Sequence, residues 1–294
     1  MFVQIKNSML LLLTAIIWGV AFVAQSDGMN YVEPFTFNGV RSIIGAITLL
    51  PLVLVMEKRE RTDRKAKENP RLLWIGGICC GIFLGVASAL QQWGVLYTSV
   101  GKAGFITTFY IILVPLFGLF IGRRCGLFVW IGVIFALCGL YLLCITESFT
   151  VNRGDLLVFL CAICFSFQIL AVDYFAPKVS AVKLSCIQFL VSGILNCIAM
   201  VLTESPDLHS LLTAWQPLLY AGVMSCGVAY TLQIVGQKGL NPTIAAMLMS
   251  LESVVSVLAG MLLLNQRLSG REVAGCVLMF IAIILAQLPQ KHNS

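Results

Sequence analysis

Three ionisable side chains stand inside otherwise apolar runs of the 294-residue chain: Arg41, Asp173 and Glu252. Each costs roughly 2.5 kcal/mol or more to place in hydrocarbon, so each is expected to face protein or water rather than lipid. Asp173 lies at the end of its run, close to Pro177 and Lys178, a position suited to an interfacial, structural role. At the helical rise per residue, Arg41 lies about 9 Å and Glu252 about 15 Å along its run. That puts Glu252 near the middle of a bilayer core roughly 30 Å thick. Because burial disfavours the charged form, a carboxyl at that depth can exchange a proton. It can also hold a cationic group of a substrate, or serve only as a fixed partner of Arg41. Trp18, Gln91, Gln92, Tyr110, Tyr230 and Gln233 fall at membrane depth too, as do Thr107, Thr108, Gln168, Asn196 and Ser250. Singly, each could make a helix–helix hydrogen bond worth about 0.6–2 kcal/mol. Together they exceed what packing needs. The first six, with Glu252 and Arg41, are the candidates to line a cavity that binds or couples a substrate.

No catalytic constellation accompanies them. The two histidines, His209 and His292, fall in a loop and in the tail, so no His-based metal site or triad can be assembled. Cys161 and Cys164 form a CxxC without a second pair or a flanking histidine. Like most of the eleven cysteines, they read as small apolar residues at helix contacts. The absence of a GxxxxGK[ST] loop excludes ATP hydrolysis on this chain as a motor. The residues therefore point to no enzyme, no cofactor and no metal.

The elements that carry these groups must be membrane helices. Charged residues make up 11% of the chain and hydrophobic ones 59%, with a mean hydropathy of +0.95. A soluble domain carries about 25% charge, so a soluble enzyme, a nucleic-acid binder and a disordered chain are excluded. Ten apolar runs approach the 20 or so residues needed to span a bilayer. They cover roughly 8–25, 35–56, 72–96, 103–122, 127–145, 156–175, 184–202, 213–236, 242–264 and 273–288, each boundary good to a few residues. The first has a weak basic start and no convincing cleavage site, and reads as a retained helix. Loop charge sets the orientation. With the N-terminus inside, inner segments hold 14 of the 19 Lys and Arg: Lys6, seven from Lys58 to Arg71, Arg123, Arg124, Lys178, Lys183, Lys238 and Lys291. Outer segments hold four, Lys102, Arg153, Arg267 and Arg271. Both termini are then cytoplasmic, and the basic loop 57–71 reads as a topology anchor.

The runs divide into five and five about a linker at 146–155. A shift of 143 residues lays Arg124 on Arg267, Gly132 on Gly275, and the break Thr98-Ser99 on Asn241-Pro242. An odd number of spans per copy inverts the second copy, an arrangement behind many secondary transporters. The units are expected at 1–146 and 154–290, within one membrane domain.

Short motifs in this order resemble the EamA domain of the drug/metabolite transporter superfamily. They are Ile17-Trp18-Gly19, Arg41-Ser42, Gly104 to Pro115, Trp130-Ile131-Gly132, Leu251-Glu252-Ser253, Leu262 to Leu268, and Gly275. Two departures stand out. Ser253 replaces the proline of the family's LEP element, removing one cause of a kink, and Gln266 replaces the glutamate of its GER element. The resemblance covers the whole chain as two units. It implies an all-α integral membrane protein of ten transmembrane helices in two inverted five-helix repeats. It also implies a carrier of small metabolites, amino-acid-like or related solutes, frequently an exporter.

The expected function is thus secondary transport of a small organic solute across the plasma or inner cell membrane by alternating access. Its partners are that solute and the lipid bilayer, with no nucleic acid; proton coupling and a homodimer stay open. The alternative is a lipid or polyprenyl-phosphate translocator of the same fold, which would want more buried cations than Arg41. An enzyme acting on lipid-linked substrates would want clustered acids, a histidine or metal ligands. A passive channel is separated from a carrier by saturation and counterflow.

Overall fold

The structure is a computed structural model and describes residues 2–62, 69–97, 100–122, 126–144, 152–264 and 269–287. Among these residues every regular element is helical. The first half holds α1 (Phe2–Gly28), α2 (Pro34–Thr62), α3 (Pro70–Val95), α4 (Val100–Thr107), α5 (Tyr110–Phe120) and α6 (Leu127–Cys144). The second holds α7 (Arg153–Phe175), α8 (Ala181–Thr203), α9 (Leu208–Thr213) and α10 (Trp215–Leu219). A π-helical run, Tyr220–Ala229, then joins α10 to α11 (Tyr230–Gln237), before α12 (Pro242–Met249), α13 (Glu252–Leu264) and α14 (Gly270–Gln287). Seven segments are long and apolar enough to cross a membrane, and the apolar helices Leu127–Leu142, Pro242–Ser256 and Val273–Ala286 are shorter. Stripes such as Ile78, Ile82 and Val86 on α3, or Val277, Phe280 and Ile284 on α14, are exposed. Glutamines 168, 188, 233 and 237 are buried. Apolar surface outside and amides inside is the distribution of a multi-pass membrane protein.

Local chemistry sets the helix ends. Asn69 and Asn241 each accept from backbone N–H groups of the first turn, with Pro70 and Pro242 at the first helical position, where no N–H is needed. Asn152 and Asp155 cap one another at the start of α7, satisfying two otherwise orphan donors. Glu204, at the end of α8, accepts from the Phe35 and Thr36 amides and the Thr36 hydroxyl, all at 2.7 Å, and so caps α2 from a neighbouring helix.

Three of the ten runs are not the continuous α-helices expected. Run 103–122 breaks at Thr108–Phe109, between α4 and α5, and run 242–264 breaks at Ser250–Leu251, between α12 and α13. At each break amides turn to carbonyls three residues back: Phe109 to Ile106 and Ile111 to Thr108, then Leu251 to Leu248 and Ser253 to Ser250. The Thr108 and Ser250 hydroxyls take up the Phe105 and Met247 carbonyls at 2.8 and 2.7 Å. Ser253 in place of proline therefore does not keep this run straight. Run 213–236 contains the π-helical stretch, whose small residue Gly222 lies against Ile44 and the Arg41 carbonyl of α2.

Helix pairing repeats five runs along. α6 packs on α14 and α2 on α8. The contact of α3 with α7 returns as α11 and the π run on α1, and that of α4 and α5 with α7 as α12 and α13 on α1. Gly132 presses on the Ala282 carbonyl and Gly139 on the Gly275 carbonyl, both 2.8 Å from where a Cβ would sit. A 143-residue shift exchanges these two contacts. Gly77, Gly81 and Gly85 of α3 seat Ile187, Val191 and Ser192 of α8, so this stripe is a packing surface. Thr98-Ser99, Arg124, Gln266, Arg267, Lys65 and most of the linker 146–155 lie outside the described residues.

Candidate functional site

The break before α13 makes Glu252 the first residue of a half-helix, so its carboxyl stands at the positive end of that helix dipole. Gly19 lets α1 approach there: a Cβ on it would fall 2.8 Å from the Glu252 carbonyl and 2.5 Å from Val255. This brings Trp18 beside the break. The Glu252 carboxylate accepts from the Tyr110 hydroxyl at 3.2 Å, and Tyr110 itself opens α5 just past the other break.

A cavity forms at these two breaks. Trp18, Phe22 and Gln25 line it from α1, Arg41 from α2, Gln91 from α3, and Thr107 and Tyr110 from either side of the first break. Phe165, Gln168 and Ile169 of α7, Ser225, Tyr230 and Gln233 of the π run and α11, and Met249 and Glu252 complete it. Of the eight candidates read from the sequence, seven therefore meet here. Gln92 does not; it is buried elsewhere on α3, since the next residue along a helix points to another face. Thr107 and Gln168, noted at depth but not chosen, line the cavity. Phe22, Phe165, Ile169, Ser225 and Met249 went unrecognised, because apolar and small residues on an apolar helix carry no distinguishing signal; Gln25 was missed because it stands at the end of its run, where a polar residue is ordinary. Asp173 is buried near the end of α7, away from the cavity lining.

Glu252 and Arg41 line the cavity without pairing. Among the described residues neither makes an ion pair; the Arg41 guanidinium lies 5.5 Å from the Phe37 ring centroid, within cation–π range. The Trp18 and Tyr230 rings pack at 4.5 Å, and Phe189 holds Tyr230 from behind at 5.1 Å. Gln91 donates to the Thr107 hydroxyl at 3.1 Å, and Gln233 donates to the Gln168 carbonyl oxygen at 3.3 Å. The indole N–H of Trp18 and the side-chain oxygen of Gln233 are buried without a protein partner. The site thus offers one carboxyl, one guanidinium, aromatic faces and unspent hydrogen-bonding groups. Its volume of about 50 Å³ takes a few waters at the roughly 10–15 Å³ that one water needs.

The sequence profile of the EamA-like transporter family matches the chain twice, over residues 6–145 and 152–288. An uncharacterized transporter of Archaeoglobus fulgidus is 27% identical over 289 residues, covering 95% of this chain and 84% of its own. The uncharacterized transporter YoaV of Bacillus subtilis is 18% identical over 96% of this chain and 97% of its own. Protein PecM of Dickeya dadantii is 34% identical over 101 residues, a third of each chain. One crystal structure superposes with a TM-score of 0.78 at 20% identity, covering 96% of both chains, and shares the fold.

Proposed function

The chain belongs to the EamA-like transporter family, and on that premise we propose that it is a secondary carrier of a small organic solute, working by alternating access. The observation that carries the reading is a carboxyl and a guanidinium facing one cavity, unpaired with each other, at two helix breaks. Interrupted helices near the midplane are where carriers hold substrates and coupling ions. Unpaired charges of opposite sign suit a zwitterion, so the solute is amino-acid-like or related; export from the cell is the direction that the family resemblance implies. Glu252 is the coupling carboxyl or the anchor of a cationic group. Arg41, Trp18, Gln91, Tyr110, Tyr230 and Gln233 bind beside it.

The architecture in this reading is ten transmembrane helices in two inverted five-helix repeats, 1–146 and 154–290. The seven long segments, the three shorter apolar helices and the repeating pairing support it. The protein sits in the cell membrane with both termini cytoplasmic. A phosphate-bearing lipid suits the site less, because Arg41 is the one cation among the described lining residues. Purified protein in liposomes preloaded with unlabelled amino acids should take up labelled ones with saturation and counterflow. Uptake linear in concentration, without counterflow, would make it a channel.

A further inference from the structure

The pairing of α3 with α7 recurs as that of α11 with α1. Gly94 lies against the Gly154 carbonyl and the Val158 side chain of α7; Gly236 lies against the Asn7 carbonyl and the Leu11 side chain of α1. Exchanging the halves therefore sets two further seams against each other, α7 with α11 and α1 with α3. The structure treats these two seams differently.

The α7–α11 seam is shut at three successive levels. Gln233 donates to the Gln168 side-chain oxygen at 3.3 Å. Next along, Ile234 is fully buried in an apolar cluster with Val172, Phe175 and Val179. At the end of α11 the Lys238 ammonium donates to the Val179 carbonyl, in the loop between α7 and α8, at 3.3 Å. Lys238 is itself held in place: Asn7 of α1 donates to its carbonyl, and Gly239, at φ 76°, turns the chain out of the helix. The α1–α3 seam is open. Phe22 and Gln25 of α1 and Gln91 of α3 line the cavity near the C-terminal ends of both helices. Among the described residues no hydrogen bond joins α1 to α3.

In an inverted repeat the two halves exchange arrangements between the two states of a carrier, so the shut seam is the one that must part. We infer that the α7–α11 seam is the closed gate of the present state and that Lys238 is the positioning residue that latches it. Its charged donor makes a stronger bond than a neutral amide. Its half-buried side chain can pass its head to water when the seam parts, so the latch is reversible. The gate closes the end of the cavity near Asn7 and leaves the end near Gln25 accessible. This rests on the carrier reading and gives the present state a side, which is outward under the cytoplasmic placement of both termini proposed above. Lys238 need not touch the solute.

The test is thiol labelling of Ser225→Cys, a cavity position, in the full chain with its native cysteines replaced. A membrane-impermeant reagent is applied to either face of sealed membrane vesicles. The parent should label from the Gln25 face. Lys238→Met removes the latch and Gln168→Leu the amide bond. Each should raise labelling from the Asn7 face, by roughly fivefold for one hydrogen bond, at the expense of the Gln25 face. Lys238→Arg keeps a charged donor and should show the parent's pattern. Two sites keep the test alive if one variant fails to fold. Variants that leave the Asn7 face as in the parent, variants that raise labelling from both faces alike, or a Lys238→Arg chain that behaves as Lys238→Met overturn the latch and leave the carrier standing. A parent labelled from the Asn7 face alone, or from neither, overturns the assignment of the seams. A parent labelled equally from both faces overturns the carrier reading itself.

Discussion

Glu252 opens a half-helix within hydrogen-bond reach of Tyr110 and apart from Arg41, and that geometry separates its possible roles. Glu252→Gln keeps the size of the side chain but cannot ionise. If the carboxyl carries the coupling proton, the variant loses uptake driven by a pH gradient and keeps amino-acid exchange, and this is the expected outcome. Loss of both activities would make it the anchor of an ammonium group. Intact transport with a lower melting temperature would make it a structural support. The sequence exposed Glu252 and Arg41 because charge in an apolar run is conspicuous. It did not expose their separation, since hydropathy fixes depth but not the azimuth at which side chains meet.

At the level of the helix, glycine decides how closely backbones approach. A Cβ on Gly81 would fall 2.7 Å from Val191 and 2.8 Å from the Gln188 carbonyl. Gly81→Leu should therefore lower stability by about 1–3 kcal/mol, as overpacking does, read as a fall in melting temperature in detergent. Gly104, with nothing within 4 Å of its Cβ position, is the contrast: Gly104→Ala should leave stability unchanged or raise it by up to about 1 kcal/mol. Helix existence was legible from apolar run length. The breaks were not, because Thr108-Phe109 and Ser250-Leu251 contain neither proline nor glycine, and two residues vanish in a window of twenty. The π run was equally hidden, since an evenly apolar stretch has no period to disturb.

For the molecule as a whole, orientation rests on the distribution of Lys and Arg, 14 against 4. Lys65→Cys, introduced into the basic loop, should resist an impermeant thiol reagent in intact cells and react once the membrane is opened; labelling of intact cells would reverse the orientation. The expected division into halves rests on a few glycines and breaks at a common spacing. The agreement of helix pairing with that spacing needed coordinates, because residues 132 and 282 reveal nothing of their contact until both helices are placed.

The two breaks also bear on how the protein would trade its amide hydrogens with solvent. In an unbroken bundle, exchange is slowest at mid-membrane and fastest at the fraying ends. Here the amides of Phe109, Ile111, Leu251 and Ser253 hold shortened turns beside a cavity that takes water. Deuterium should therefore enter at these four positions ahead of their neighbours in α5 and α12. The profile would be inverted, with the least protected backbone at the centre of the bilayer, and uniform protection through both runs would contradict it.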